Sequence, residues 1–256
     1  MNNTVLIKFH AELKDFLPLK WRNTRFDYAL KKTRSVKDLI ESIGIPHTEV
    51  DIITVNGISA SLRDLVKGGE NINVYPAFVE PAAKPLIHNL PKLSAETRFV
   101  VDVHLGRLAG YLRMLGFHSK YRNDYDDAEI MDISAHEKRI VLTSDRRLLM
   151  RKLIDHGYYV RSRIPRQQIL EVFRHYRLKP MQSGQKHCIK CNGIILRVDK
   201  AAIESRLLPL TKKYYNHFYQ CQDCQKIYWE GSHHNQMRKL IEEIEQEASN
   251  VFTGKT

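Results

Sequence analysis

The sequence predicts an α/β protein whose middle segment is a parallel sheet flanked by helices, with a smaller sheet module in front and a cysteine-bound ribbon behind. Three observations lead there. Between residues 98 and 178, short apolar runs alternate with helical patterns of about ten residues, the signature of β-α-β units. Before residue 80, strand patterns surround a single helical one, and after residue 186 the chain's four cysteines fall in two Cys-x-x-Cys pairs. The expected boundaries are 1–80 for the first module, 81–97 for a linker, 98–180 for the α/β domain, 181–235 for the ribbon and 236–256 for a polar helical tail. With 256 residues, the chain is long enough for two or three separate cores.

Residues 4–10 and 24–30 read as strands joined by a longer loop through Pro18 and Trp21. Ser35 starts a helix with Val36, Leu39, Ile40 and Ile43 at helical spacing, and Gly44 ends it. A strand at 52–55 runs into the turn Asn56-Gly57, and 71–75 closes the module after Gly68-Gly69. This β-β-α-β-β order resembles the ubiquitin-like β-grasp domains related to small sulfur carriers. Those carriers act through a free C-terminal Gly-Gly, whereas here the closing strand continues into Pro76-Ala77-Phe78. The resemblance therefore implies an interaction or scaffolding module, with a protein as its partner, and not a carrier. The linker and the strand end before it hold Pro76, Pro81, Pro85 and Pro91, four of nine prolines, which restrict the backbone to a semi-rigid spacer.

The α/β segment reads as a strand at 98–102, then a helix with Leu105, Leu108, Leu112 and Leu115 along one stripe. A short strand at 118–122, an acidic knot at 123–127 and a helix at 127–138 follow. Next come a strand at 139–144, a helix at 146–156, a strand at 158–161 and a helix at 166–178. Asp102, Asp127 and Asp145 each sit just past a strand end, with Asp124 a further candidate in the acidic knot. In adjacent parallel strands, the carboxyl ends share one rim. Two carboxylates about 4 Å apart repel by roughly 4 kcal/mol at an effective dielectric of 20, so such a cluster needs a cation or a shared proton. A hard ion such as Mg²⁺ or Mn²⁺ takes oxygen ligands and usually engages substrate phosphate as well. Each aspartate also has a reading as a helix cap: Asp102 before Leu105, Asp145 before Arg146, and Asp126 with Glu129 as a capping box. Asp126 is assigned to the cap, which leaves Asp127, one residue further in, to face the cleft. Arg107, Arg113 and Arg146 lie beside these positions and are candidate bidentate donors to substrate phosphates, or else solvated helix-surface arginines.

Charge supports a polyanionic substrate. The chain carries a net +12, and residues 95–180 hold 17 basic against 11 acidic groups, so the carboxylate-bearing segment is also the most basic one. No stretch approaches 18 uncharged apolar residues and no apolar leader opens the chain, so neither a membrane span nor a signal peptide is expected. Paired cysteines favour metal over disulfides in a reducing compartment, the cytoplasm.

Cys188, Cys191, Cys221 and Cys224 supply four thiolates for a tetrahedral, structural Zn²⁺, and the 29 residues between the pairs require a larger insert than common ribbons have. His187, His217, His233 and His234 then fall to the surface. Lys186, Lys190, Lys212, Lys213, Tyr214, Tyr215 and Trp229 suit an RNA grip by charge and base stacking, with packing in a small core the alternative for the aromatics.

Several runs carry a more specific resemblance: Phe99-Val100-Val101-Asp102, Leu105-Gly106-Arg107-Leu108-Ala109, Leu112-Arg113-Met114-Leu115-Gly116, Tyr121-Arg122-Asn123-Asp124 with Asp126-Asp127-Ala128-Glu129, and Leu142-Thr143-Ser144-Asp145-Arg146. Together with the closing Tyr228-Trp229-Glu230-Gly231-Ser232-His233, they resemble the PIN-like ribonuclease family named after the C-terminal region of the Mut-seven exonuclease. Its members commonly carry a ubiquitin-like domain in front. The resemblance implies a PIN-type fold, with Asp102, Asp127 and Asp145 binding Mg²⁺ or Mn²⁺ to hydrolyse RNA phosphodiesters. A catalytically silent RNA-binding or complex-assembly module, keeping the fold and the zinc, is the alternative class.

Overall fold

Eight short elements build the N-terminal module: β1 (Thr4–Phe9), β2 (Phe26–Ala29), β3 (Arg34–Ser35), α1 (Val36–Ile43), β4 (Ile52–Val55), β5 (Ile58–Ala60), β6 (Leu65–Val66) and β7 (Asn71–Tyr75). The computed structural model describes residues 3–82, 84–94, 96–179, 186–231, 238–244 and 246–247. His233, His234 and the expected tail beyond 247 lie outside the described residues. The main sheet runs β2-β1-β7-β4-β5, with β1 and β7 parallel at its centre and the other neighbours antiparallel. Alternation places Val5, Ile7 and Phe9 of β1 in one core with Val36, Leu39 and Ile40 of α1. Both ends of α1 are locally encoded. The Ser35 hydroxyl accepts from the Asp38 N–H at 3.0 Å, and Gly44 adopts φ 101°, which glycine takes without steric penalty. Strand β5 was not expected. It is only three residues long and exists because Asn56 and Gly57, at φ 52° and 84°, fold the chain back onto β4.

Part of the proline-rich stretch is fastened to this module. The Asp51 carboxylate meets His88 Nδ1 at 2.8 Å and accepts from the Leu90 N–H, and the Asn89 amide donates to the carbonyls of Asp51 and Ala60.

The α/β segment begins with β8 (Phe99–Val101), α2 (Gly106–Met114), β9 (Ser119–Lys120) and α3 (Asp127–Glu137). It continues through β10 (Ile140–Thr143), α4 (Arg146–Leu149), β11 (Gly157–Tyr159) and α5 (Pro165–Tyr176). Its strand pairs β8/β9 and β10/β11 are parallel, as β-α-β alternation requires. Helix α4 ends well before residue 156. The N–H groups of Met150, Arg151 and Ile154 each bond three residues back, so the chain tightens into turns that bury Ile154. Gly157 then starts β11 where a Cβ would lie 2.5 Å from the Leu149 side chain. The ribbon is a three-stranded antiparallel sheet of β12 (Ile195–Val198), β13 (Phe218–Cys221) and β14 (Ile227–Trp229). Two short helices, α6 (Lys200–Ile203) and α7 (Pro209–Tyr214), fill the long interval between the cysteine pairs.

Packing divides the chain into two compact units, residues 1–95 with 126–159 and residues 96–125 with 160–256. In the first, the β-grasp module holds β11 directly. Glu49 is fully buried and accepts from the Tyr159 N–H at 2.6 Å, His47 Nε2 meets the Ile154 carbonyl at 3.0 Å, and the Phe16 and Tyr159 rings are 5.4 Å apart. In the second, Phe99, Phe117 and Phe173 form a chain of rings 5.6–5.8 Å apart between β8, the α2–β9 connection and α5.

Candidate active site and metal centre

Asp102 follows β8 directly and is 7% exposed. It precedes a single turn, Val103–Leu105, yet its side chain does not cap that turn. The corner is tightly made: Tyr121 Oη donates to the Val103 carbonyl at 3.1 Å, and a Cβ on Gly106 would lie 2.5 Å from that same oxygen.

Asp126 caps α3 in a full capping box, accepting from the Glu129 N–H at 2.8 Å while Glu129 accepts from the Asp126 N–H at 3.1 Å. That leaves Asp127, exposed at the first position of α3, without the capping task. Asp145 is exposed two residues beyond β10. Its Oδ1 accepts from the Arg147 N–H at 2.8 Å, which caps α4, and its own N–H donates to Thr143 Oγ1 at 2.9 Å. A carboxylate has two oxygens with several acceptor sites, so one capping bond does not exhaust it. Asp124 is exposed and paired with Arg122 Nε at 2.9 Å; that hydrogen bond holds its carboxyl below the usual carboxylate range. Asp102 and Asp124 belong to the second unit, Asp127 and Asp145 to the first.

The three arginines have separate surroundings. Arg107 is exposed in the first turn of α2 and lines a cavity. Arg146 is exposed at the start of α4, its guanidinium 5.8 Å from the Phe16 ring centre and 5.9 Å from that of Tyr159, within cation–π range. Arg113 departs from the expected contact with substrate phosphate. It is 3% exposed and donates through Nε to the Ser119 carbonyl at 2.9 Å and through Nη1 to the carbonyls of Ile189 and Lys190 at 2.9 and 3.0 Å. Its position in the α2 stripe faces inward, and the partners that satisfy it there are carbonyls of the first cysteine knuckle. Asn192, which sequence reasoning passed over, completes this attachment: its Oδ1 accepts from the Ser119 N–H at 2.8 Å and its amide meets the His118 ring.

The four cysteine sulfurs lie within 4.8 Å of one another, with Cys188–Cys224 at 3.6 Å and Cys191–Cys221 at 3.4 Å. A tetrahedral ion with metal–sulfur bonds of about 2.3 Å has sulfur–sulfur edges of about 3.8 Å, so the donor set fits a closed site for a metal such as zinc. Each knuckle turns at the residue after its second cysteine, Asn192 at φ 72° and Gln225 at φ 58°. Gly193 lets the knuckles approach, since a Cβ there would run into the Asp223 carboxylate and lie 2.9 Å from Cys221 Sγ. Burial raises both Cys188 and Cys191. At Cys188, the Tyr228 hydroxyl at 3.0 Å and the Cys191 N–H reverse that effect and bring it to about 6. Cys191, with neighbouring sulfur beside it, is pushed up to about 12. Sulfurs this close cannot all ionise by themselves, and a bound cation removes that conflict.

Residues 97–241 match the family model described as the Mut7-C RNAse domain, and residues 2–81 match the one described as Mut7-C ubiquitin. A search of the curated proteins and a search of the solved structures each returned no match. Among the described residues, no helix is long and apolar enough to cross a membrane.

Proposed function

The chain belongs to the Mut7-C RNAse domain family and carries a ubiquitin-like domain in front, and from that premise we propose that it hydrolyses RNA with Mg²⁺ or Mn²⁺ held by Asp102, Asp127 and Asp145. The observation that carries this reading is Asp102, a buried carboxylate at a parallel strand's carboxyl end that its own turn does not use as a cap. A divalent cation takes carboxylate oxygens as ligands, and a carboxylate at a strand end that does not cap the following turn suits that work. The assignment of capping to Asp126, not Asp127, supports it further.

Such an ion, when bound, supplies a water nucleophile usable near neutral pH and charge stabilisation at phosphorus. The chain's own groups do the positioning. The corner after Asp102 is tied by the bond from Tyr121 Oη to the Val103 carbonyl, and Asp145 is oriented by its bond from the Arg147 N–H. Arg107 and Arg146 neutralise substrate phosphates as charge-assisted donors. Asp124 serves as the fourth acid, drawing on the carboxylate that Arg122 keeps ionised. Cys188, Cys191, Cys221 and Cys224 hold a structural Zn²⁺ that keeps the ribbon folded. In this reading, the β-grasp module offers a surface to a protein partner, and two Cys-x-x-Cys pairs, which favour metal over disulfides, support a reducing compartment, the cytoplasm.

One observation favours the catalytically silent RNA-binding or assembly module instead: the Asp145 carboxylate already caps α4. Replacing Asp102, Asp127 and Asp145 singly by Asn separates the readings. Asn caps about as well as Asp but lacks the ligand charge. Under the nuclease reading, each variant stays folded, still binds RNA, and loses cleavage of mixed RNA substrates in Mg²⁺ or Mn²⁺ by orders of magnitude. Cleavage that survives all three substitutions, or persists in excess EDTA, rules that reading out.

A further inference from the structure

Within the second unit, α2 and the ribbon enclose a cavity of about 1040 Å³. We propose that this cavity is a base-binding subsite, which takes unpaired nucleobases of single-stranded RNA and holds the strand beside Asp102. The proposal rests on the ribonuclease reading for the identity of the polymer, and it adds the part of the substrate that is recognised.

The walls combine aromatic rings with the side chains of Met114, Ile189, Leu210, Ile227 and Leu240, and the edges are cationic. Tyr111 on α2, Tyr214 and Tyr215 at the end of α7, and Trp229 at the end of β14 all face the cavity, with Tyr215 and Trp229 6.4 Å apart and tilted by 49°. Arg107 and Lys226 also line it, and among the described residues no carboxylate does. Aromatic rings beside cations form a surface for a flat, electron-rich base attached to an anionic backbone. A purely apolar peptide groove would have no use for those cations. Tyr214 is 66% exposed although aromatic, on the helix that accounts for part of the unusually long interval between the cysteine pairs. That insert therefore does more than bridge two knuckles: it raises one wall of the cavity. Lys213, over the Tyr214 ring at 5.4 Å, adds charge at the same edge. The opposite wall begins at Gly106 and Arg107, only four and five residues after Asp102. A base seated here fixes the strand next to the corner that carries the buried candidate ligand. The charge of the unit fits, since its residues hold 22 basic and 12 acidic groups, a net +10 of the chain's +12.

The test uses the full-length, zinc-loaded chain carrying Asp145→Asn to prevent cleavage. Its affinity is measured at fixed salt for a short single-stranded oligoribonucleotide, for an abasic strand of the same length, and for the matching duplex. The expected result is roughly tenfold or greater weakening for the abasic strand, and a similar loss for the single strand on Tyr214→Ala, with duplex binding unchanged by that variant. Gly110→Leu provides a second variant: a Cβ there meets Ile189 Cγ2 of the first knuckle at 3.5 Å, an ordinary van der Waals contact, and the added side chain occupies space at the cavity wall. It should reproduce the Tyr214→Ala loss, with zinc content and melting behaviour unchanged. Equal affinity for abasic and intact strands, or intact affinity in both variants, overturns the proposal. Cleavage by the wild-type chain is read separately. Base-independent binding with cleavage retained removes the subsite alone, and base-dependent binding without cleavage removes the nuclease reading alone.

Discussion

The β-grasp module and the ribbon are stabilised by different means. The first encloses eighteen buried hydrophobic residues contributed by sheet, helix and loops. Between residues 186 and 231, the buried hydrophobic side chains are Ile203, Phe218 and two of the cysteines. At about 1.5–3 kcal/mol for each fully buried large side chain, Ile203 and Phe218 cannot offset the ordering of a segment that long. A metal held by the four-cysteine cluster would supply the difference, because binding energy at such a site is folding energy. Charge divides along similar lines. The unit containing the β-grasp carries 19 basic and 17 acidic groups, near neutrality, and the ribbon-bearing unit carries nearly the whole excess.

Metal removal should break the contrast most sharply. Chelation, or Cys221→Ser, should unfold the ribbon with a loss on the order of 10–16 kcal/mol of binding free energy, while the β-grasp amides keep their hydrogen-exchange protection. If both regions lose protection together, the two are not independently stabilised. The mirror experiment is Leu39→Ala, which should cost the β-grasp about 2–5 kcal/mol in chemical denaturation without releasing zinc to a colorimetric chelator. Next in size is Arg113→Met. It leaves the buried Ser119 carbonyl and the part-buried carbonyl bonds of Ile189 and Lys190 without their donor, at about 1–3 kcal/mol, and it should raise the rate of zinc release. An unchanged release rate would mean that the knuckle does not depend on α2.

The smallest effect is a pH dependence confined to the β-grasp. Burial, helped by the charges of Lys8 and Arg25 and opposed by the bond to Asn73, holds His10 below its ordinary value. In the unfolded chain, histidine titrates near about 6.5, so just below that pH the unfolded state binds more protons. Stability from this group is therefore present above about pH 6.5 and is lost as pH falls through the folded-state value. Denaturation midpoints of the wild type should decline on acidification through that window, and His10→Gln should flatten the decline.

What could be read locally was read well, and the reasons are local. Ser35 and Gly44 bound α1, Asp126 and Glu129 close a capping box, and Asn56-Gly57 makes its turn, because each motif joins groups within a few residues. The metal ligands were equally legible, since two Cys-x-x-Cys pairs leave little else for their sulfurs to do. The candidate aspartates were legible as residues following strands, but not the work of each carboxylate. Asp126 and Asp145 cap the helices that follow them and Asp102 does not cap its turn, and that depends on side-chain rotamers and burial.

By itself, then, the sequence determined the main strands and helices in order, the parallel alternation and the cysteine cluster, all of which follow from periodicity and short spacing. Tertiary structure decided the rest. Arg113 became an internal tie because its carbonyl partners lie 76 and 77 residues away, and Glu49 became a buried acceptor for an N–H 110 residues away. Helix α4 stopped at Leu149 and β5 formed from three residues because of where the chain had to return. A buried polar group takes whichever partner the fold brings within about 3 Å, and no spacing along the chain specifies a partner that far away.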